Sequence, residues 1–340
     1  MPSIQPVTKN RIGTLLRKRM FHIDAAEVTF SRRGFVPGSA AVQGHLEQIG
    51  TSFLSGYHAA IDQGLTTSLA QILSEAGSEY RGFAFEGAGM GLGLLDSFSL
   101  RRGTRWQRFV DGIGRPHRYV VHVGLGWVVA RLPWLRSRPE QFITHLHPLL
   151  KWLVMDGYGF HEGYFHWKNW SPASLQRPRF HGYASRAFDQ GLGRCLWFVA
   201  GGDVARLATL ILAYERDRQP DLWSGVGLAC AYAGKPDRSE LEFLMHRAQP
   251  HLLHFQQGVT FGAEAREDGN IPAWHTEQTC QIVLGCSATA ASQMTYDAIP
   301  AVTIDTTLPN DSTPESPSVP SYEIWRSQIR GLLKQEVVSC

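Results

Sequence analysis

The sequence predicts a mainly α fold, with about four helical units of ~70 residues grouped into two larger halves. These units form a single α/α barrel-like or solenoid-like domain over residues 21–296. The first observation behind this is an internal repeat. Pro116-His117 leads to Gly124-Leu-Gly-Trp127, and Pro250-His251 leads to Gly258-Val-Thr-Phe261 at an offset of 134 residues. Phe85-Glu-Gly-Ala-Gly89 aligns with Trp223-Ser-Gly-Val-Gly227 at an offset of 138. Gly50, Gly124, Gly191 and Gly258, spaced by 74, 67 and 67 residues, mark the half-period. The second observation is helical spacing of apolar residues through the body, with little strand pattern. The third is composition: 34 glycines and 10 tryptophans in 340 residues, with charged residues at only 19%. That balance excludes a disordered chain or a coiled coil.

Residues 1–20 read as a basic N-terminal arm, with Lys9, Arg11, Arg17, Lys18 and Arg19 around a short apolar patch. Glu27–Ser31 alternates well enough to suggest a strand or extended arm. Gly82–Asp96 reads as an apolar helix despite Gly87, Gly89, Gly91 and Gly93, each costing about 1 kcal/mol relative to alanine. Gly87 and Gly91 share a face, so either a neighbouring helix approaches closely or space is left for a ligand. Tyr119–Leu135 is the most apolar run, but His122 and Arg131 interrupt it, and it reads as a buried core element rather than a membrane span. Asp203 reads as the N-cap of a helix over Val204–Tyr214, and Asp237 begins another that runs to about Arg247 and stops before Pro250. Residues 297–321 form a Pro/Ser/Thr-rich linker. Within 322–340, Tyr322, Trp325, Ile329, Leu332 and Leu333 recur at helical spacing, predicting an amphipathic C-terminal helix that most simply docks back on the body, with a partner contact as the alternative.

A net charge of +3 is too balanced for a nucleic-acid-binding stripe. The five cysteines (Cys195, Cys230, Cys280, Cys286, Cys340) form no CxxC, which speaks against a disulfide framework or a zinc site and for a reducing cytoplasm. The sequence shows no signal-peptide pattern. The expectation is a cytoplasmic protein without a membrane span, with homo-oligomerisation left open.

The densest polar and aromatic cluster is Met155–Trp167. His161-Glu162 resembles the start of HExxH, but the second histidine, His166, falls one residue late. Positions 161 and 166 lie about 140° apart on a helix, so they do not share a metal. Glu162 and His166, at i,i+4, leave a divalent ion open, although a carboxylate–imidazole hydrogen bond is the simpler outcome; no cofactor is expected. Glu86, Glu162 and Glu277 occupy matching places in the repeat, which predicts that they point toward a common axis. Carboxyls buried among aromatic rings have raised pKa values and suit general-acid chemistry. The alternative is that each satisfies a helix terminus or an arginine in the next unit, for which Arg81, Arg131 and Arg194 are placed. Asp156, His161 and Asp189 complete the candidate catalytic set, with Asp189 and Arg194 placed to pair. Phe85, Trp127, Tyr158, Trp167, Arg194, Trp197 and Trp223 are the candidate substrate-binding residues. The sequence contains no GxGxxG, phosphate loop or GxSxG elbow.

Several blocks together resemble one family. Arg32-Arg-Gly-Phe35, Arg81-Gly-Phe-Ala-Phe-Glu-Gly87, Asp156–Trp167, Ala187-Phe-Asp-Gln-Gly-Leu-Gly-Arg194 and Leu222–Gly234 are similar, in matching order, to members of the DUF1702 family of bacterial proteins. The resemblance covers about residues 20–296. It implies a place in natural-product gene clusters, notably those for enediyne polyketides, and a small apolar substrate or intermediate; it implies no catalytic residues. Three functions fit. A protonated carboxyl acts on a polyene or isoprenoid in an aromatic cavity, as in a cyclase or isomerase. Alternatively, the cavity only binds and shields an intermediate, or the repeat is a scaffold whose glycines serve packing. A closed central cavity above about 300 Å³, lined by Glu86, Glu162 and aromatics, supports the first two, and a filled core rules out both. The lack of Asp-rich diphosphate motifs argues for proton-initiated rather than ionisation-dependent chemistry.

Overall fold

A computed structural model describes residues 17, 19–99, 103–174, 178, 180–299 and 319–338; the arm at 1–20 and the linker at 297–321 therefore lie largely outside the described residues. The described chain is helical with no strand. Glu27–Ser31, expected to be extended, forms short helical turns instead, Ala25–Val28 and Phe30–Arg33. The Asp24 and Thr29 side chains cap these two turns and so supply locally the partners a strand would need elsewhere.

Seven helices make the body: α1 (Ala40–Gln63), α2 (Ser78–Ser97), α3 (Arg118–Arg131), α4 (Trp152–Trp170), α5 (Tyr183–Val199), α6 (Gln219–Ala229, prolonged by a π-turn at Cys230–Gly234) and α7 (Leu252–Asp268). They are followed by α8 (Ala288–Asp297) and the tail helix α9 (Ser321–Val338). Most of the seven are buried nearly all round; in α2 every residue from Gly82 to Leu95 is buried. Such helices need neighbours on every side.

Glycine provides the contacts. A pair G-x-G recurs in five successive helices: Gly87/Gly89, Gly124/Gly126, Gly157/Gly159, Gly191/Gly193 and Gly225/Gly227; α7 keeps the first member, Gly258. The first glycine of each pair meets the preceding helix and the second meets the following one. In α4, a Cβ on Gly157 would sit 2.0 Å from the Val123 carbonyl oxygen, and one on Gly159 2.0 Å from that of Phe188. Neighbours run parallel, because the contacts advance together: Gly87 meets Phe53 while Gly91 meets Tyr57, and Gly258 meets Ser224 while Gly262 meets Leu228. The first glycines are spaced by 37, 33, 34, 34 and 33 residues. The recurring element is thus one helix with its return connection, about half the expected ~70-residue unit.

Parallel neighbours require the chain to return each time. Shorter outer helices do this, among them Thr67–Glu75, Val204–Leu212, Arg238–Arg247 and Trp274–Val283. Asp203 caps Val204–Leu212 as expected, and Asp237 with Glu240 forms a capping box at the start of Arg238–Arg247. The row of seven curls until its ends meet. His45 Nε2 on α1 lies 2.8 Å from the Ala233 carbonyl oxygen, Arg266 on α7 donates to Glu79 O at 2.9 Å, and Tyr119 donates to Glu264 at 2.8 Å. The tail helix docks on this ring and buries Tyr322, Trp325, Arg326, Ile329 and Leu333. Among the described residues no helix is long and apolar enough to cross a membrane.

Candidate functional site

The residue before each first glycine faces inward at Glu86, Asp156, Gln190, Ser224 and Gln257, all buried. Four of these form a polar ladder. Gln190 Nε2 donates to Asp156 Oδ2 at 2.8 Å, and Ser224 Oγ lies 3.4 Å from Gln190 Oε1 and 3.2 Å from Gln257 Oε1. The tail completes the ladder: Arg326 Nε donates to Gln257 Oε1 at 2.9 Å and Nη1 to Asp221 Oδ1 at 2.7 Å.

Glu86 stands apart from this ladder. It faces a narrow cavity of about 50 Å³ walled by aromatic side chains that include Phe53, Phe83, Trp127, Phe160 and Tyr164. Burial pushes its carboxyl up to about 7; Arg194 opposes the shift, Asp156 adds to it, and the Trp127 indole N–H lowers it slightly without reaching hydrogen-bond geometry. Arg194 is held by Asp156 Oδ1 and stacks over the Phe160 ring, 4.9 Å from its centroid. Residues 23–28 cover one side, with Ile23, Glu27 and Val28 in the wall. Val28 docks over Gly50, where a Cβ would come within 2.6 Å of the valine Cβ.

A second cavity of about 40 Å³ lies toward the tail helix, walled by residues such as Val123, Leu153, Phe261, Tyr322 and Trp325, with Asp156 and Glu264 at its polar edge. Arg194, Leu228 and Tyr232 line both cavities. Both are well below the few hundred Å³ typical of a preformed small-molecule site, so a ligand larger than a few waters enters only if side chains or the covering segment move.

The expected common axis of Glu86, Glu162 and Glu277 is not observed. Glu162 faces an outer groove with His166 and Trp170. His161 Nδ1 and Trp170 Nε1 donate to its two oxygens at 3.3 and 3.1 Å. Burial pushes Glu162 up, but these two donors outweigh it and leave the carboxyl below its ordinary value. His161 is buried, and burial lowers it to about 4, so it is neutral at pH 7. His166 breaks the helical geometry of α4 (φ −134°, ψ 26°), and the expected Glu162–His166 hydrogen bond is replaced by the His161 and Trp170 contacts. Glu277 is exposed on an outer helix, where it accepts from the Ala288 amide at 2.8 Å and caps α8. Asp189 pairs with Arg218, not Arg194; Asp156 takes Arg194.

Of the expected binding residues, Trp127 and Arg194 line the central cavity. Phe85 packs on Phe109 and His117, Tyr158 on Phe180 and Phe188, and Trp223 on Phe255. Trp167 donates its indole N–H to Arg33 O at 3.2 Å, and Trp197 packs against Gly202 and Gly234. Phe53, Phe83, Phe160, Tyr164 and Tyr232 were not expected in the site; the inward register of the glycine pairs would have pointed to those on α2 and α4.

The family model for DUF1702, described as a protein of unknown function, matches residues 12–333, and the chain belongs to that family. The match extends into the tail helix as far as Leu333, beyond the residues that carry the sequence resemblance. No curated protein and no solved structure matches.

Proposed function

We propose that the protein receives a slender, apolar, polyene-like chain in its aromatic interior and that Glu86 acts on it as a general acid, in a proton-initiated cyclisation or isomerisation. The observation that carries this reading is a buried carboxyl held near neutrality in a wall of aromatic rings. The neutral acid transfers its proton to one carbon of a double bond and becomes a carboxylate. The resulting carbocation faces the rings of Phe53 and Trp127, whose π-faces favour positive charge. Ring closure or migration of the double bond follows, and loss of a proton from the chain to Glu86 restores the acid, so the step is redox-neutral. Arg194 stabilises the transient carboxylate, while Asp156 balances its charge and limits repulsion toward the cation. The role in bacterial natural-product biosynthesis, and in enediyne clusters in particular, belongs to this proposal.

A second reading, binding and shielding without chemistry, is favoured by the narrowness of the cavity, which keeps water from a reactive chain whether or not a proton moves. Incubation with linear polyenes and isoprenoids, followed by mass spectrometry of the products, separates the two. Glu86→Gln is expected to fold and to lose turnover by about 10²–10⁴-fold, the usual contribution of general acid catalysis. Full turnover by this variant would remove Glu86 as the acid.

A further inference from the structure

Arg194 spends only part of its hydrogen-bonding capacity. The residue is 8% exposed, one Nη is bound to Asp156, and its Nε–H is buried with no partner. An unmet donor on a buried cation costs more than one on a neutral group. The same side chain lines both interior cavities, as do Leu228 and Tyr232. Arg194, Leu228 and Tyr232 therefore stand between the two cavities, and Arg194 carries an unused donor. Elsewhere the walls are largely aromatic or aliphatic. A compact ligand does not fit this shape. A linear one reaches from one chamber to the other, past the guanidinium, once side chains in the shared wall or the covering segment move.

We infer that the two cavities are one ligand channel and that Arg194 is its specificity residue, taking an oxygen acceptor (a carbonyl, carboxylate or hydroxyl) carried on a linear apolar chain. This rests on the reading that the interior receives such a chain and adds which chain it selects. Leu228 sets whether the chain passes between chambers. Arg194 sets which chain is held, by offering the Nε–H that Asp156 leaves unused.

Parinaric acid, a linear fluorescent tetraene, serves as the probe, alongside its methyl ester, its alcohol and the tetraene hydrocarbon of the same length. Each is titrated into the full chain and followed by the rise in emission on transfer from water. The three oxygenated probes are expected to bind about 10- to 100-fold more tightly than the hydrocarbon, the range of a hydrogen bond to a charged group. Arg194→Lys keeps a cation for Asp156 but puts a methylene where the Nε–H stands, and it should bring the four affinities to within about twofold. Leu228→Trp should weaken all four at least tenfold by filling the shared wall. Equal binding of acid and hydrocarbon by the natural chain, an unchanged preference in Arg194→Lys, or no binding of any probe overturns the inference. Tighter binding of the acid alone assigns Arg194 to a carboxylate; equal binding of acid and ester assigns it to any oxygen acceptor. Selective binding without any product overturns the general-acid reading and leaves this one standing.

Discussion

Glu86 and the buried histidines shift folding stability in opposite directions across one pH range. Glu86 has an ordinary value of 4.5 and titrates near 7 in the folded protein. Between those values the unfolded chain ionises and the folded one does not, so its contribution to stability falls as pH rises and the loss is complete above 7. The difference in pKa corresponds to about 3 kcal/mol. His117, His122 and His161 have ordinary values of 6.5 and are each lowered by burial to about 4. The unfolded chain binds their protons first on acidification, so they add stability as pH rises through 4 to 6.5. The overall pH curve of the natural chain mixes both signs, and the Glu86 contribution emerges as a difference. Denaturant unfolding of Glu86→Gln and the natural chain should diverge by about 3 kcal/mol in the variant's favour between pH 4.5 and 7.5, then run parallel. Parallel curves throughout would mean that the carboxyl is not held neutral.

Between helices, the governing fact is that backbone lies against backbone. A Cβ on Gly191 would fall 1.7 Å from the Asp156 carbonyl oxygen, whereas nothing lies within 4 Å of one on Gly44 in α1. The helix propensity gain from Gly→Ala is about 1 kcal/mol at either place. Gly44→Ala should therefore stabilise by up to about 1 kcal/mol, while Gly191→Ala should destabilise by about 3 kcal/mol as α4 and α5 are forced apart. Thermal and denaturant unfolding of the two variants checks the contrast; a neutral Gly191→Ala would mean that the interface yields easily. This packing was half legible in the sequence. The sequence places Gly87 and Gly91 on one face of a helix, and both meet α1. The period was read at twice its value, because Gly124, Gly191 and Gly258 are alternate members of a series that also contains Gly87, Gly157 and Gly225. Gly50 does not belong to it; its role is to seat Val28. The common axis of three carboxylates failed for the same reason. Glu86 and Asp156 precede a first glycine and face inward, but Glu162 lies five residues past Gly157 and turns outward. Pairing was not legible at all: Arg194 meets Asp156, 38 residues away, rather than nearby Asp189.

At the scale of the whole molecule, the tail helix fastens the ring through one buried cation. Arg326 is fully buried, donates to Asp221, Gln257 and Tyr183, and pairs with Glu323. Removing one member of a buried charge cluster destabilises more than the cluster stabilises, because the remaining charge is left in an apolar interior. Arg326→Met preserves much of the volume and should cost about 3–5 kcal/mol at pH 7. Asp221 keeps Arg186, whose Nε donates to it at 2.9 Å, so Asp221→Asn in the same chain should recover little of that loss. Glu323 supplies the pH signature. Burial raises its pKa, but Arg326, Arg186 and Arg330 outweigh burial and hold the carboxyl at about 2 against an ordinary 4.5. Its stabilisation is present above pH 4.5 and is lost as pH falls toward 2. The gap between the natural chain and Arg326→Met should therefore narrow below pH 4.5, while the Gly44→Ala gap, at a position with nothing within 4 Å of the added carbon, should not. Trp325 donates its indole N–H to Thr295 O at 2.7 Å in the same interface, so its near-ultraviolet circular dichroism reports whether the tail stays docked. Equal gaps at pH 7 and pH 3 for Arg326→Met would show that the ionisation of Glu323 contributes nothing to holding the tail.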